Sequence, residues 1–162
     1  MQEGIAHQLA RFLRNDAAIL GIGNDLRGDD GFGSILARRL CHEFAQTEFA
    51  QRIFDADTAP ENYLGRLAKM HIAHLLILDA IVFGGAPSEV RIFDIDEIAA
   101  PFAMTHGPSN FRLLRIILPD IAIKILAVQP RKMEHGAQMS AEVQRAIDDL
   151  IGIFEGVLKS HA

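Results

Sequence analysis

The chain has 162 residues, nearly half of them hydrophobic, and is long enough to bury a core within one domain. Sixteen basic side chains against twenty-one acidic ones leave a net charge of -5, so no cationic surplus exists to neutralise a nucleic-acid backbone. The single cysteine, Cys41, excludes an internal disulfide and any CxxC metal or redox pair, and it points to a reducing compartment, the cytoplasm.

The first element is a helix over residues 2–14. Ile5, Leu9, Phe12 and Leu13 fall one turn apart, and Arg11 and Arg14 break the apolar character that a secretory signal needs. Residues 17–23 are a short apolar run ending in glycine, a buried strand. Phe32, Leu36, Leu40 and Phe44, with Ile35 beside them, form one stripe of a helix. Residues 52–55 predict a second strand, and Pro60 opens a helix over 61–70, where its missing N–H costs nothing. Residues 75–78, four aliphatics followed by Asp79, are the third strand and the central one.

A fourth strand at 90–93 follows a link through Gly84, Gly85, Ala86 and Pro87. That link is too short for a parallel crossover, so the strand should run antiparallel to its predecessor. Residues 111–118 predict a helix with Ser109 as its N-cap, and 121–128 a fifth strand. Ser140 caps a last helix carrying Val143, Ile147, Leu150, Ile151, Phe154 and Leu158. This alternation describes an α/β protein of one domain, 1–162, whose first sixteen residues are the docking helix. Its five-stranded sheet is mostly parallel, with helices on both faces. No apolar stretch approaches the roughly 20 residues of a membrane span.

In such a sheet, ligands bind outside the carboxyl ends of the parallel strands. There the first strand delivers Asn24, Asp25, Asp29 and Asp30, the second Asp55 and Asp57, and the third Asp79. Carboxylates gathered on one edge repel unless a cation or protons compensate them. Asp29 or Asp30 can equally cap the next helix, and Asp55 and Asp57 can be turn formers. Asp79 is different, because a carboxylate after four buried aliphatics is expensive without a partner.

Among the histidines, His7, His42 and His161 belong to exposed positions, and His71 and His74 flank the start of the third strand, away from the acids. His135 follows the fifth strand and stays open. His106, in a loop before a helix, reaches the acidic edge if the chain returns there after the antiparallel strand. Two carboxylates and an imidazole suit a borderline divalent ion such as nickel or zinc. Neither H-E-x-x-H nor G-x-S-x-G occurs, and Cys41, inside the first core helix, reads as packing.

The run Gly21-Ile22-Gly23-Asn24-Asp25-Leu26-Arg27-Gly28-Asp29-Asp30-Gly31 resembles the opening signature of hydrogenase maturation endopeptidases. Asp57-Thr58-Ala59-Pro60-Glu61-Asn62, Leu78-Asp79-Ala80, Thr105-His106 and Val128-Gln129-Pro130 resemble that family's later motifs, in family order. The resemblance implies a three-layer αβα fold and a hydrolase of aspartic-type endopeptidase-like character. Asp30, Asp79 and His106 would be its catalytic and metal-contacting residues. The nickel they sense would be that of the substrate, the precursor of a [NiFe]-hydrogenase large subunit whose C-terminal extension is removed. No organic cofactor is implied.

Two other classes compete. A hydrogenase-assembly chaperone would share the motifs without cutting. A nucleotide-binding protein would use Gly21-x-Gly23, but Leu26 stands where the third glycine of that fingerprint belongs.

Overall fold

The computed structural model describes residues 2–14, 16–98, 103–104 and 108–160. Helix α1 (Gln2–Phe12) leads into β1 (Ala17–Gly21), α2 (Phe32–Glu43), β2 (Ile53–Asp55) and α3 (Leu64–Lys69). Strand β3 (His74–Val82) and strand β4 (Val90–Asp94) follow, then the two-residue β5 (Ala103–Met104), α4 (Pro108–Ile117), β6 (Ala122–Val128) and α5 (Ala141–Lys159).

The main sheet has the order β2-β1-β3-β6-β4, with β4 antiparallel to β6 and the other neighbours parallel. This is the mixed five-stranded sheet foreseen from the alternation. Beyond it, β5 pairs antiparallel with the far end of β3, Met104 opposite Ile81.

Alternating side chains divide the interior into two cores. Ile19, Leu76, Leu78, Leu126 and Val128 pack under α1, α2 and α5. Leu20, Leu75, Ile77, Ile123 and Ile125 pack under α3 and α4. With both faces covered, β3 loses the polar alternation of a half-exposed strand, hence its unbroken aliphatic run. Ile5, Leu9 and Phe12 of α1 join the first core, as their spacing predicts. No helix among the described residues is long and apolar enough to cross a membrane.

Three local expectations need correction, while β4 meets its own: it runs opposite to β3, though it pairs with β6, which occupies the place beside β3 and leaves β4 at the edge. The buried side chain of Gln129 makes the link work by accepting from the N–H groups of Phe83 (2.9 Å) and Gly85 (3.1 Å) as the chain leaves β3. β3 continues past Leu78 to Val82, so Asp79 lies within the strand and not after it. Helix α4 starts at Pro108, which puts Ser109 inside its first turn instead of at the cap. Cys41 does lie in α2, but its side chain faces solvent.

Two glycines set how closely α2 sits on the sheet. A Cβ on Gly33 would lie 2.0 Å from the Leu78 carbonyl oxygen and 2.3 Å from that of Ile22. A Cβ on Gly21 would lie 2.2 Å from the Gly33 carbonyl oxygen. Both obstacles are backbone and cannot rotate away. Gly33→Ala should therefore destabilise the fold by about 3 kcal/mol, at the upper end of overpacking costs, measured by urea unfolding.

Candidate active site

Hydrogen bonding between β1 and β3 ends where Gly21 meets Leu78, with Ile22 N–H still donating to the Leu78 carbonyl at 2.9 Å. Asp79 is the first residue of β3 beyond that pairing. On its other side it faces Ala127 of β6. From β1 the chain moves outward to β2, whereas the chain leaving β3 moves on toward β6 and β4. The strand order thus reverses between β1 and β3, and a crevice at such a point is where open α/β sheets bind ligands.

The segment leaving β1 forms two short 3₁₀ turns within Asp25–Gly31, separated by a kink at Arg27 and Gly28, with Asn24 as the cap of the first: the Asn24 side chain accepts from Leu26 N–H at 3.0 Å. Asn24 N–H in turn holds the Asp30 carbonyl at 3.1 Å. Gly23 permits this approach, since a Cβ there would lie 2.5 Å from that same carbonyl oxygen. Gly28, at φ +57°, is left-handed and lies against the Lys132 carbonyl, so a side chain is excluded on both counts.

The acids along this edge separate by partner. Arg38 bonds the carboxylates of both Asp25 and Asp55, the latter at 2.8 Å. Ser34 donates to Asp55 at 2.5 Å and accepts from Arg38 at 2.8 Å. Partial burial works against the charge of Arg38, but its bonds to Asp55 and Asp25 outweigh that and raise its pKa. Asp55 also accepts from Asp57 N–H at 2.9 Å, and Asp57 takes φ +50°; the pair are turn formers, as their position suggested.

Asp29 is fully buried and accepts four hydrogen bonds. Arg131 N–H (2.8 Å) and Lys132 N–H (3.1 Å) reach one oxygen, joined there by the Ser140 hydroxyl (2.9 Å), while Ser140 N–H (2.7 Å) reaches the other. It caps no helix of its own segment. It binds the loop that leads into α5. That loop returns the grip, with Gly28 N–H on the Ala137 carbonyl, Asp29 N–H on that of Lys132 and Gly136 N–H on that of Leu26.

Asp30 and Asp79 remain, both at 0% exposure. Arg27 approaches Asp30 at 3.8 Å, and Asp79 accepts from Ala80 N–H at 2.8 Å. Burial, and then the charge of Asp30, raises the Asp79 carboxyl well above the ordinary carboxylate value, against a smaller opposite pull from Ala80 N–H. The two acids expected from the sequence to share a site do feel each other. His106 lies outside the described residues, as does Thr105.

Among the other histidines, His161 also lies outside the described residues. His7, His42 and His71 are exposed, and His74 pairs with Asp16 at 3.3 Å at the opposite end of the sheet. His135 is exposed on the loop that packs on Leu26. Sequence reasoning missed Ser34 and Arg38. Their four-residue spacing on α2, one face of a helix turned toward two aspartate-bearing loops, was the available signal.

The sequence profile of the HycI family, hydrogenase maturation protease, matches residues 36–157, a span that includes Asp79 and His106. The chain belongs to the hydrogenase maturation protease family. The hydrogenase 3 maturation protease of Escherichia coli is 32% identical over 141 residues, covering 85% of this chain and 88% of that one. A putative hydrogenase maturation protease of Methanocaldococcus jannaschii is 29% identical over 140 residues, 82% of each chain. Among solved structures, the [NiFe] hydrogenase maturation protease HycI of Thermococcus kodakarensis superposes with a TM-score of 0.79 at 27% identity, over 96% of this chain and 99% of that one. The solution structure of the endopeptidase HycI from Escherichia coli gives 0.74 at 31% identity, over 86% and 89%. The molecule is thus a peptidase of hydrogenase maturation.

Two substitutions test this reading of the maturation protease. Asp29→Asn replaces an acceptor oxygen by an amide that faces donors, and should cost about 2–3 kcal/mol in urea unfolding. Hydrogen exchange of the Arg131, Lys132 and Ser140 amides should accelerate with it. For Asp79, the folded chain keeps a proton that the unfolded chain releases above about pH 4. Its contribution to stability is complete below that value and is lost as pH rises through the higher folded-state pKa. Asp79→Asn, neutral throughout, should gain stability relative to the native protein as pH is raised from about 4 toward neutrality, read from urea midpoints.

Proposed function

We propose that this peptidase removes a C-terminal segment from the precursor of a [NiFe]-hydrogenase large subunit after nickel insertion. Asp30, Asp79 and His106 meet the ion, and the reaction runs in the cytoplasm. The nickel belongs to the substrate. The observation that carries the reading is the pair of carboxylates buried within reach of each other's charge at the reversal between β1 and β3. Two acids in that position repel each other and attract a divalent cation.

Chain geometry supports the third member. Met104, two residues before His106, pairs with Ile81, which is two residues beyond Asp79 on β3. Pro108, two residues after His106, begins α4, which covers the second core. Asp79 shares the alternation of Leu75, Ile77 and Ile81, whose side chains enter that core. Two residues of chain span at most about 7 Å, so the described residues on either side of His106 support it as the third member.

Asp30, Asp79 and His106 grip the ion, and their grip orients the precursor so that its peptide bond lies against the site. A water activated at a carboxylate or at the ion attacks that bond. Because both acids are closed to solvent, the precursor is admitted only by an opening over them.

The test uses purified protein and nickel-loaded precursor, with the released peptide followed by mass spectrometry. Asp30→Asn, Asp79→Asn and His106→Gln should each slow release by about a hundredfold or more, and nickel-free precursor should stay uncut. Unimpaired trimming by all three variants would overturn the assignment of these residues. Binding of the precursor by the native protein with no peptide released would overturn hydrolysis itself.

A further inference from the structure

At the opposite edge of the sheet, beside the starts of β2 and β3, lies a hollow of about 560 Å³ lined by Glu48, Gln51, Arg52, Arg66, Lys69, Met70, His71 and Ile72. Three permanent cations and a histidine face one carboxylate in a chain whose net charge is -5. Arg66 and Lys69 close α3, where cations suit the helix dipole. That account does not reach His71, which comes from the segment before β3, and Arg52 ends only a five-residue 3₁₀ turn before β2.

Arg52 supplies the deciding observation. Its Nη1 is closed to solvent and has no hydrogen-bond partner among the described residues. A guanidinium N–H kept from both water and an acceptor is costly, and an oxyanion in the hollow would remove that cost with a charge-assisted bond. Arg66 is fixed beside it, its guanidinium 4.7 Å from the centre of the Phe54 ring. Glu48 forms no ion pair with Arg52, Arg66 or Lys69. The guanidinium fork, the ammonium of Lys69 and the amide of Gln51 together are a donor set for a tetrahedral oxyanion. Met70 and Ile72 provide an apolar wall, and the volume falls in the range of sites that take small organic ligands.

We propose that this hollow binds a phosphoryl group, as free phosphate or on a small phosphate ester, through Arg52, Arg66 and Lys69. The site lies at the far end of the strands from Asp30 and Asp79 and is independent of the peptidase reading.

The experiment is calorimetric titration of the full chain with inorganic phosphate, pyrophosphate and ATP, at constant ionic strength. Arg52→Gln and Lys69→Gln are compared with Arg145→Gln, a surface arginine on α5 outside the hollow. Lys69 is exposed, so its variant folds even if loss of Arg52 disturbs β2. Saturable binding that falls by about tenfold in the Arg52 and Lys69 variants and is unchanged in the Arg145 variant supports the site. Equal affinity for inorganic phosphate and ATP makes free phosphate the ligand, and tighter binding of ATP makes it an ester. Absence of saturation with all three probes up to about 5 mM, or equal affinity in all four proteins, overturns the proposal.

Discussion

The carboxylate of Asp29 takes four hydrogen bonds from residues more than a hundred positions later in the chain, and the geometry of the site depends on that knot. Asp30 follows it directly. Repulsion between Asp30 and Asp79 would spread a pliable loop, exposing both acids to water. The 3₁₀ segment does not yield, because its own N–H and carbonyl groups are also taken up by the 131–140 loop, while Ser140, which caps α5, is bound to Asp29. A long helix with a deep apolar face is in this way made the anchor of a short polar loop. Two adjacent aspartates then carry opposite duties: Asp29 is satisfied so that Asp30 can be held where it is electrostatically costly.

The same division explains how the acidic edge tolerates so many carboxylates. Arg38 draws Asp25 and Asp55 together across α2, with Ser34 completing the bonds to Asp55. Those two charges are compensated within the chain. The coupling that survives is between the two fully buried acids. At the other end of the strands the balance is inverted, with Arg52, Arg66, Lys69 and His71 around one hollow and a single glutamate among them. The fold thus keeps its buried acid pair and its cationic hollow at opposite ends of the sheet, where their interaction is screened by distance and solvent.

Much of this was legible in the sequence where a single period or a strong local cost governed. The four-residue stripe of α2, the aliphatic run of β3, the Ser140 cap and the first-core residues of α1 all follow from which side chains must leave water. The unusual burial of Asp79 was legible for the same reason, since a carboxylate among aliphatics demands an account. What escaped depended on partners distant in the chain. Nothing local to Asp29 distinguishes a helix cap from an anchor for residues 131–140. The extent of β3 past Asp79 depends on β6 and β5 offering edges there. The place of β4 turned on which strand occupied the position next to β3, a competition that a short glycine-containing link does not reveal. Cys41 lies in a helix that the stripe predicts, but Leu36 and Leu40 claim its buried side and leave the thiol in solvent.

The glycines around the first strand end set how closely main chain approaches main chain there. In a nucleotide-binding turn such residues bring backbone N–H groups up to a phosphate. Here they bring backbone up to backbone: Gly33 lets α2 touch the Leu78 and Ile22 carbonyls, and Gly23 lets the Asp30 carbonyl settle on Asn24 N–H. Aspartate has a short arm, with one methylene between backbone and carboxylate, so its charge can act on Asp79 only if its main chain is drawn to the strand end. A side chain at Gly23 would push Asp30 away and weaken the coupling without touching either acid. Gly23 thus acts on the position of Asp30 through the main chain.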